Sequence, residues 1–139
     1  MNIYFAGSIR GGRDDRELYA HIIRLLTPHG TVLTEHVGSG ELSAAGESAV
    51  TDEYIYQRDM DWLRASDVVV AEVTSPSLGV GYEIGKAEEM GKRILCLYRP
   101  SSERRLSAML RGHSEWCIED YSSIEELPKI IENFFTNQS

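Results

Sequence analysis

"DVVVAEVTSPSLGVGYEIG", Asp67–Gly85, is the stretch that decides the architecture of this chain. Its first part, Asp67 to Val73, is continuous and β-branched, without the polar alternation of a strand that has one wet face. Such a run suits a central strand of a parallel sheet, buried on both sides. The second part turns through Ser75, Pro76, Ser77 and Gly79 and then enters a helical pattern that carries Glu83 and runs on to Met90. A parallel strand needs crossover connections to its neighbours, so the flanking sequence should alternate between short strands and longer helices.

It does so on both sides. "NIYFAG" (2–7) reads as a first strand, and Arg13 to about His29 carries Leu18, Ile22, Leu25 and Leu26 at helical spacing before stopping at "PHG". "TVLTEH" (31–36) makes a second strand. A Gly/Ser-rich flap, residues 38–53, follows and is long for an α/β connection. Thr51 to about Ser66 is helical again, with Tyr54, Ile55, Met60, Trp62 and Leu63 as its apolar positions. Beyond the opening stretch come "RILCLY" (93–98) as a fourth strand, a basic loop, a short helical piece around Leu106 to Leu110, a fifth strand near "EWCIED", and an amphipathic helix "SSIEELPKIIENFF". Pro128 falls inside that last pattern, so it belongs in the first turn or marks a kink. The expected fold is a three-layer α/β/α sandwich with a five-stranded parallel sheet in the flavodoxin-like, Rossmann-like order 2-1-3-4-5.

Composition narrows the function classes. The chain has 139 residues, 42% apolar and 26% charged, which suits one domain over 1–139. No apolar run approaches the roughly 20 residues of a membrane span. "MNIYFAGSIR" enters a strand pattern at once, so neither a membrane anchor nor a secretory leader is expected. The expected location is intracellular, in the cytoplasm, with the nucleus left open. Cys96 and Cys117 sit in apolar strand-like runs without ligand spacing and read as small hydrophobes, not a disulfide or a zinc site. A formal charge of −8 argues against a nucleic-acid polymer as partner, because counterion displacement needs a basic face. A small anion remains open, since a few arginines and backbone amides suffice to hold a phosphate. No cofactor or metal is expected.

In sheets of this order the ligand crevice lies beyond the carboxyl ends of the strands at the switch point, here between strands one and three. Two loops meet there. "AGSIRGGR" (Ala6–Arg13) offers Gly7, Ser8, Ile9, Arg10, Gly11, Gly12 and Arg13, in which glycines admit close backbone approach and arginines give charge-assisted hydrogen bonds. The segment reads either as a phosphate cradle or as a tight turn whose glycines only satisfy geometry; it matches neither GxxxxGK[ST] nor GxGxxG. In the second loop Ser77 and Gly79 can present a hydroxyl and an amide to the same crevice, and NAD is disfavoured.

Glu83, early in its helix, has two readings. One is an exposed carboxylate compensating the helix dipole. The other is catalytic, in company with Asp59, Tyr4 and Glu72 on adjoining elements, because two carboxylates in different environments are the minimum for glycosidic-bond chemistry. Glu72 itself reads as a brace for loop amides or for Tyr82. His36, ending the second strand, either touches a ligand or is satisfied locally.

"YFAGSIRGGR", "VLTEHV", "QRDMDWLRASDVVVAEVTSPSLGVGYEIG", "KRILCLYRP" and "LSAMLRG" together resemble the 2′-deoxynucleoside 5′-phosphate N-hydrolases, relatives of the nucleoside 2-deoxyribosyltransferases, over nearly the whole chain. The resemblance implies an N-glycosidase in which Glu83 attacks C1′ and forms a glycosyl ester that water hydrolyses, Asp59 is the general acid, and Tyr4 orients Glu83. It implies that Gly7 through Arg13, with Ser77 and Gly79, hold the 5′-phosphate of a deoxynucleoside monophosphate. It also implies a homodimer in which Ser107, with Met109 nearby, completes the neighbouring site; from spacing alone Ser107 is a helix cap. Tyr4 and Ile9 are candidates for the wall that excludes a 2′-hydroxyl, and His36 for a base contact.

Two other functions compete. Deoxyribosyl transfer between bases would leave the Arg10–Arg13 cluster without purpose, because a free 5′-hydroxyl needs no cationic cradle. A nucleotide-sensing module without catalysis would have no need of the carboxylate pair.

Overall fold

The alternation along the central strands is what builds three layers. In the computed structural model, which describes residues 1–9, 12–36, 50–113 and 116–137, β3 (Val68–Glu72) is buried at every position. Val68 and Val70 enter one core, while Val69 and Ala71 enter the other. Successive strand side chains point to opposite faces, so a fully apolar strand has to feed two cores at once. β1 (Asn2–Gly7) divides the same way, with Ile3 and Phe5 on one side and Tyr4 and Ala6 on the other. β4 (Arg93–Tyr98) sends Leu95 and Leu97 to the first core and Ile94, Cys96 and Tyr98 to the second.

Helix α1 (Gly12–Leu26) covers the first core with Leu18, Tyr19, Ile22 and Leu26, an i, i+4, i+8 stripe with Tyr19 beside it. It is joined there by α5 (Leu127–Thr136) through Leu127, Ile131, Phe134 and Phe135. Pro128 lies in the first turn of α5, where its missing N–H costs no hydrogen bond, and there is no kink to explain. Ser123 and Glu126 close a capping box just ahead of it. The opposite core is covered by α2 (Asp52–Ala65), through Met60 and Leu63, and α3 (Leu78–Glu89), through Val80, Ile84 and Ala87.

All pairings are parallel, and the order is β2-β1-β3-β4-β5. The two edge strands are shorter than the expected ones. β2 spans only Thr31–Leu33, and β5 only Cys117–Asp120, because each has a single neighbour to complete its ladder. The expected piece near Leu106 to Leu110 is α4 (Ala108–Arg111), a single turn. The expected helix to His29 ends at Leu26 and tightens into a 3₁₀ turn, Thr27–His29, where Pro28 removes a donor. Cys96 is buried and its thiol is pushed up to about 12 by desolvation; Cys117 is partly buried, and both are free. Of the 38–53 flap, residues 38–49 lie outside the described residues. Among the described residues no helix is long and apolar enough to cross a membrane.

Candidate active site

Gly7 and Glu72, the last residues of β1 and β3, are register partners, so both loops leave the sheet side by side at the switch point. The cleft beyond them holds about 570 Å³. One wall is the first loop, Gly7, Ser8 and Ile9; the facing walls are Glu35, Asp59 and the opening of α3 from Pro76 to Glu83. Close packing makes Gly7 obligatory, since a Cβ there would lie 2.8 Å from the Tyr19 ring. Gly12 begins α1 at φ +85°, a conformation that favours glycine.

Ser77 caps α3 by accepting from the Val80 amide at 3.2 Å, which fixes the phase of the helix. Val80, Glu83 and Ala87 then share the inward face, and Glu83 is 8% exposed. An exposed carboxylate answering the helix dipole is therefore not what the fold contains. The Tyr4 hydroxyl, itself buried, donates to Glu83 Oε2. Burial raises Glu83 to about 7; the Tyr4 hydrogen bond opposes that rise, the charges of Asp59 and Glu35 add to it, and Arg58 lowers it. Tyr4 is pushed far above the ordinary phenol range, chiefly by burial and then by Glu83, so it stays a donor.

Asp59 is buried on the cleft side of α2, and its Oδ1 accepts from Arg58 Nε at 3.0 Å. The same guanidinium reaches Glu35 Oε2 at 3.3 Å and lies 4.9 Å from the Trp62 ring centre. Sequence reading passed over Glu35 and Arg58, although both adjoin residues it singled out, His36 and Asp59. Tyr56 and Tyr82 were missed as cleft residues too; both are half exposed, with their hydroxyls 3.4 Å apart.

Glu72, 1% exposed, accepts from the Thr74 amide at 2.8 Å, from Thr74 Oγ1 at 2.9 Å and from the Tyr121 hydroxyl. It braces the start of the second loop as expected, but its phenol partner is Tyr121 and not Tyr82. Burial raises its pKa above the ordinary carboxylate value.

Other candidate residues fall in different places. Ser77 and Gly79 line the cleft, as do Gly7, Ser8 and Ile9. Arg13 is directed along α1 toward Glu17, 3.6 Å away on an exposed surface. Arg10 and Gly11 lie outside the described residues. The His36 ring donates from Nε2 to the Gly7 carbonyl at 2.8 Å and packs edge-on to Tyr19, so it buttresses the first loop and is not among the residues lining the cleft. Ser107 and Met109 line a second hollow of about 850 Å³, which shares Pro76, Ser77, Leu78, Val80 and Tyr82 with the cleft. There Ser107 caps α4, accepting from the Met109 amide at 3.2 Å. Among the described residues no three His, Cys, Asp or Glu side chains are grouped to hold a metal.

Residues 3–127 match the family model described as Nucleoside 2-deoxyribosyltransferase. The chain belongs to the nucleoside 2-deoxyribosyltransferase family. Within that family it is 56% identical over 142 residues to the 5-hydroxymethyl-dUMP N-hydrolase of Tetraodon nigroviridis, covering 99% of each chain. It is 53% identical over 137 residues to the protein of that name from Homo sapiens, covering 96% of this chain and 78% of the other. Among solved structures, the CMP N-glycosidase of Clostridium botulinum superposes with a TM-score of 0.67 at 19% identity, over 96% of this chain and 99% of that one. The 2-desoxiribosyltransferase from Leishmania mexicana gives 0.63 at 21% identity, over 99% of both chains. These structural likenesses carry the deoxyribosyltransferase-like fold alone.

Proposed function

We propose that this chain hydrolyses the N-glycosidic bond of 2′-deoxynucleoside 5′-monophosphates, with 5-hydroxymethyl-dUMP as the first substrate to try, releasing the base and 2-deoxyribose 5-phosphate. The observation that carries this reading is the buried Tyr4–Glu83 hydrogen bond in a cleft that also contains Asp59. Two carboxylates, one aligned by a phenol and the other by a guanidinium, suit a double displacement with retention at C1′.

In the first step a Glu83 oxygen bonds to C1′, the C1′–N bond breaks, and Asp59 gives its proton to the departing base. In the second step water attacks C1′, its proton returns to Asp59, and Glu83 is released. Burial makes this geometry effective. The developing positive charge on the sugar sits against a poorly solvated carboxylate, where their attraction is stronger than in water. Ionised Glu83 is also the form that Tyr4 favours by donating to it.

The 5′-phosphate would lie on the backbone of the first loop, from Gly7 through Arg13, and against Ser77 and Gly79. Of the two expected wall residues, Ile9 lines the cleft and would stand beside C2′, whereas Tyr4 is buried against Glu83 and is not among the residues lining the cleft. The second hollow would be covered by another copy of the chain, bringing that copy's Ser107 and Met109 toward the phosphate; exposed Leu78 and Met109, 96% and 82% accessible, support an apolar contact there. Locations in the cytoplasm and nucleus belong to the same proposal.

The deciding experiment incubates the protein with deoxy- and ribonucleoside monophosphates and follows free base by chromatography. Base released only from the deoxynucleotides supports the reading. Release that requires an added acceptor base would indicate transfer, and binding without release would indicate a sensor.

A further inference from the structure

We propose that Arg58 and Glu35 form a positioning pair for Asp59, in which the guanidinium holds one carboxylate oxygen so that the other serves the cleft, while Glu35 offsets the guanidinium charge. The inference rests on Asp59 acting as the general acid.

Neighbouring residues on a helix diverge by about 100°, so helical geometry does not by itself bring the side chains of 58 and 59 together. Arg58 nevertheless donates Nε to Asp59 Oδ1 at 3.0 Å. Among the described residues, two contacts from outside the pair hold it in that orientation. Trp62, one turn along α2, lies under the guanidinium at 4.9 Å, and Glu35, beyond the end of β2, accepts from the terminal nitrogen at 3.3 Å. The three charged side chains are only 19%, 20% and 10% exposed for Arg58, Glu35 and Asp59, so water screens them poorly.

That arrangement solves a conflict. A lone arginine would align the acid but would also favour its ionised form, which has no proton to give. Placing a second carboxylate on the same guanidinium divides its attraction and keeps the alignment. Glu35 also forms part of the cleft wall, close enough for its charge to act on Glu83 and Tyr4. Among the described residues, the charged and titratable groups around Asp59 include Arg58 on its own helix, Glu35 after β2, Glu83 on α3 and Tyr4 on β1, with Asp52 at the start of α2 in the same cleft.

The test is a pH profile of kcat/KM for base release, read beside carbon-13 titration of the Glu83 and Asp59 carboxyls, which needs no turnover. Glu35→Gln removes a negative charge, makes the remaining carboxyls easier to ionise, and should move the profile and the titrations down by roughly one pH unit. Arg58→Met should move them up by a similar amount. The double variant should return the midpoints toward those of the parent but not restore kcat. Arg58→Lys should keep the midpoints and lower kcat, because one ammonium lacks the fork that spans two carboxylates. Single variants that shift neither readout, or a Glu35→Gln shift in the same direction as the Arg58→Met shift, overturn the pairing. Opposite carboxyl shifts in a protein that releases no base support the pairing and count against the hydrolase reading instead.

Discussion

Tyr4, in the middle of β1, donates its phenolic proton to Glu83 on the inward face of α3, and both groups are buried. The sheet thereby grips the carboxylate from beneath while the cleft reaches it from above. A carboxylate held this way is costly to ionise, well oriented and close to the proposed sugar position.

Glu83→Gln should separate activity from stability. Loss of the proposed nucleophile should lower kcat for base release at least 10³-fold by analogy with other covalent catalysts. The folded-state pKa, raised to about 7 from 4.5, means the unfolded chain ionises first. Glu83 therefore favours folding most below about pH 4.5, and that contribution is lost as pH rises through 7. The variant should gain on the order of 2 kcal/mol over the parent at pH 8 and almost nothing at pH 4.5. Thermal melts of both proteins at the two pH values check this; equal gains at both would remove Glu83 as the source.

Tyr4→Phe takes away the donor that opposes the rise in the Glu83 pKa. Its acidic limb of kcat/KM against pH should therefore move to higher pH, by about one unit. Turnover at neutral pH should fall roughly 10- to 100-fold. An unchanged acidic limb would mean that the phenol does not tune Glu83.

Asp59→Asn should matter according to the leaving group. Bases that leave readily need little protonation, so their hydrolysis should drop about tenfold, whereas poor leaving groups should lose roughly 10³-fold. Comparing single-turnover rates over a series of bases checks this, and a uniform loss would argue against a proton-donating role.

Tyr121→Phe removes one of the three donors to Glu72, whose carboxylate is buried behind the second loop. The expected cost is about 1–3 kcal/mol of stability, measured by urea denaturation. KM should rise as the loop bearing Ser77 and Gly79 loosens. A neutral effect on both would make the brace incidental.

Much of the fold can be read along the chain because period and burial are local properties. Val68–Val70 without polar alternation require a strand covered twice, and Leu18, Ile22 and Leu26 require an inward helical stripe. Strand ends were less legible. The second strand stops at Leu33 although apolar and β-branched residues continue to Thr34, because pairing on an edge depends on one neighbour only.

Sequence by itself determined the order of elements, the switch point between β1 and β3, and the presence of Tyr4, Asp59 and Glu83 on segments that lead there. Only the tertiary structure decided that Glu83 faces inward onto Tyr4, that Arg58 bridges Asp59 and Glu35 across 23 residues, and that His36 supports the Gly7 carbonyl. The reason is physical. Periodicity tells which face of an element is apolar, whereas the partner of a polar group buried on that face is set by the packing of segments distant in sequence.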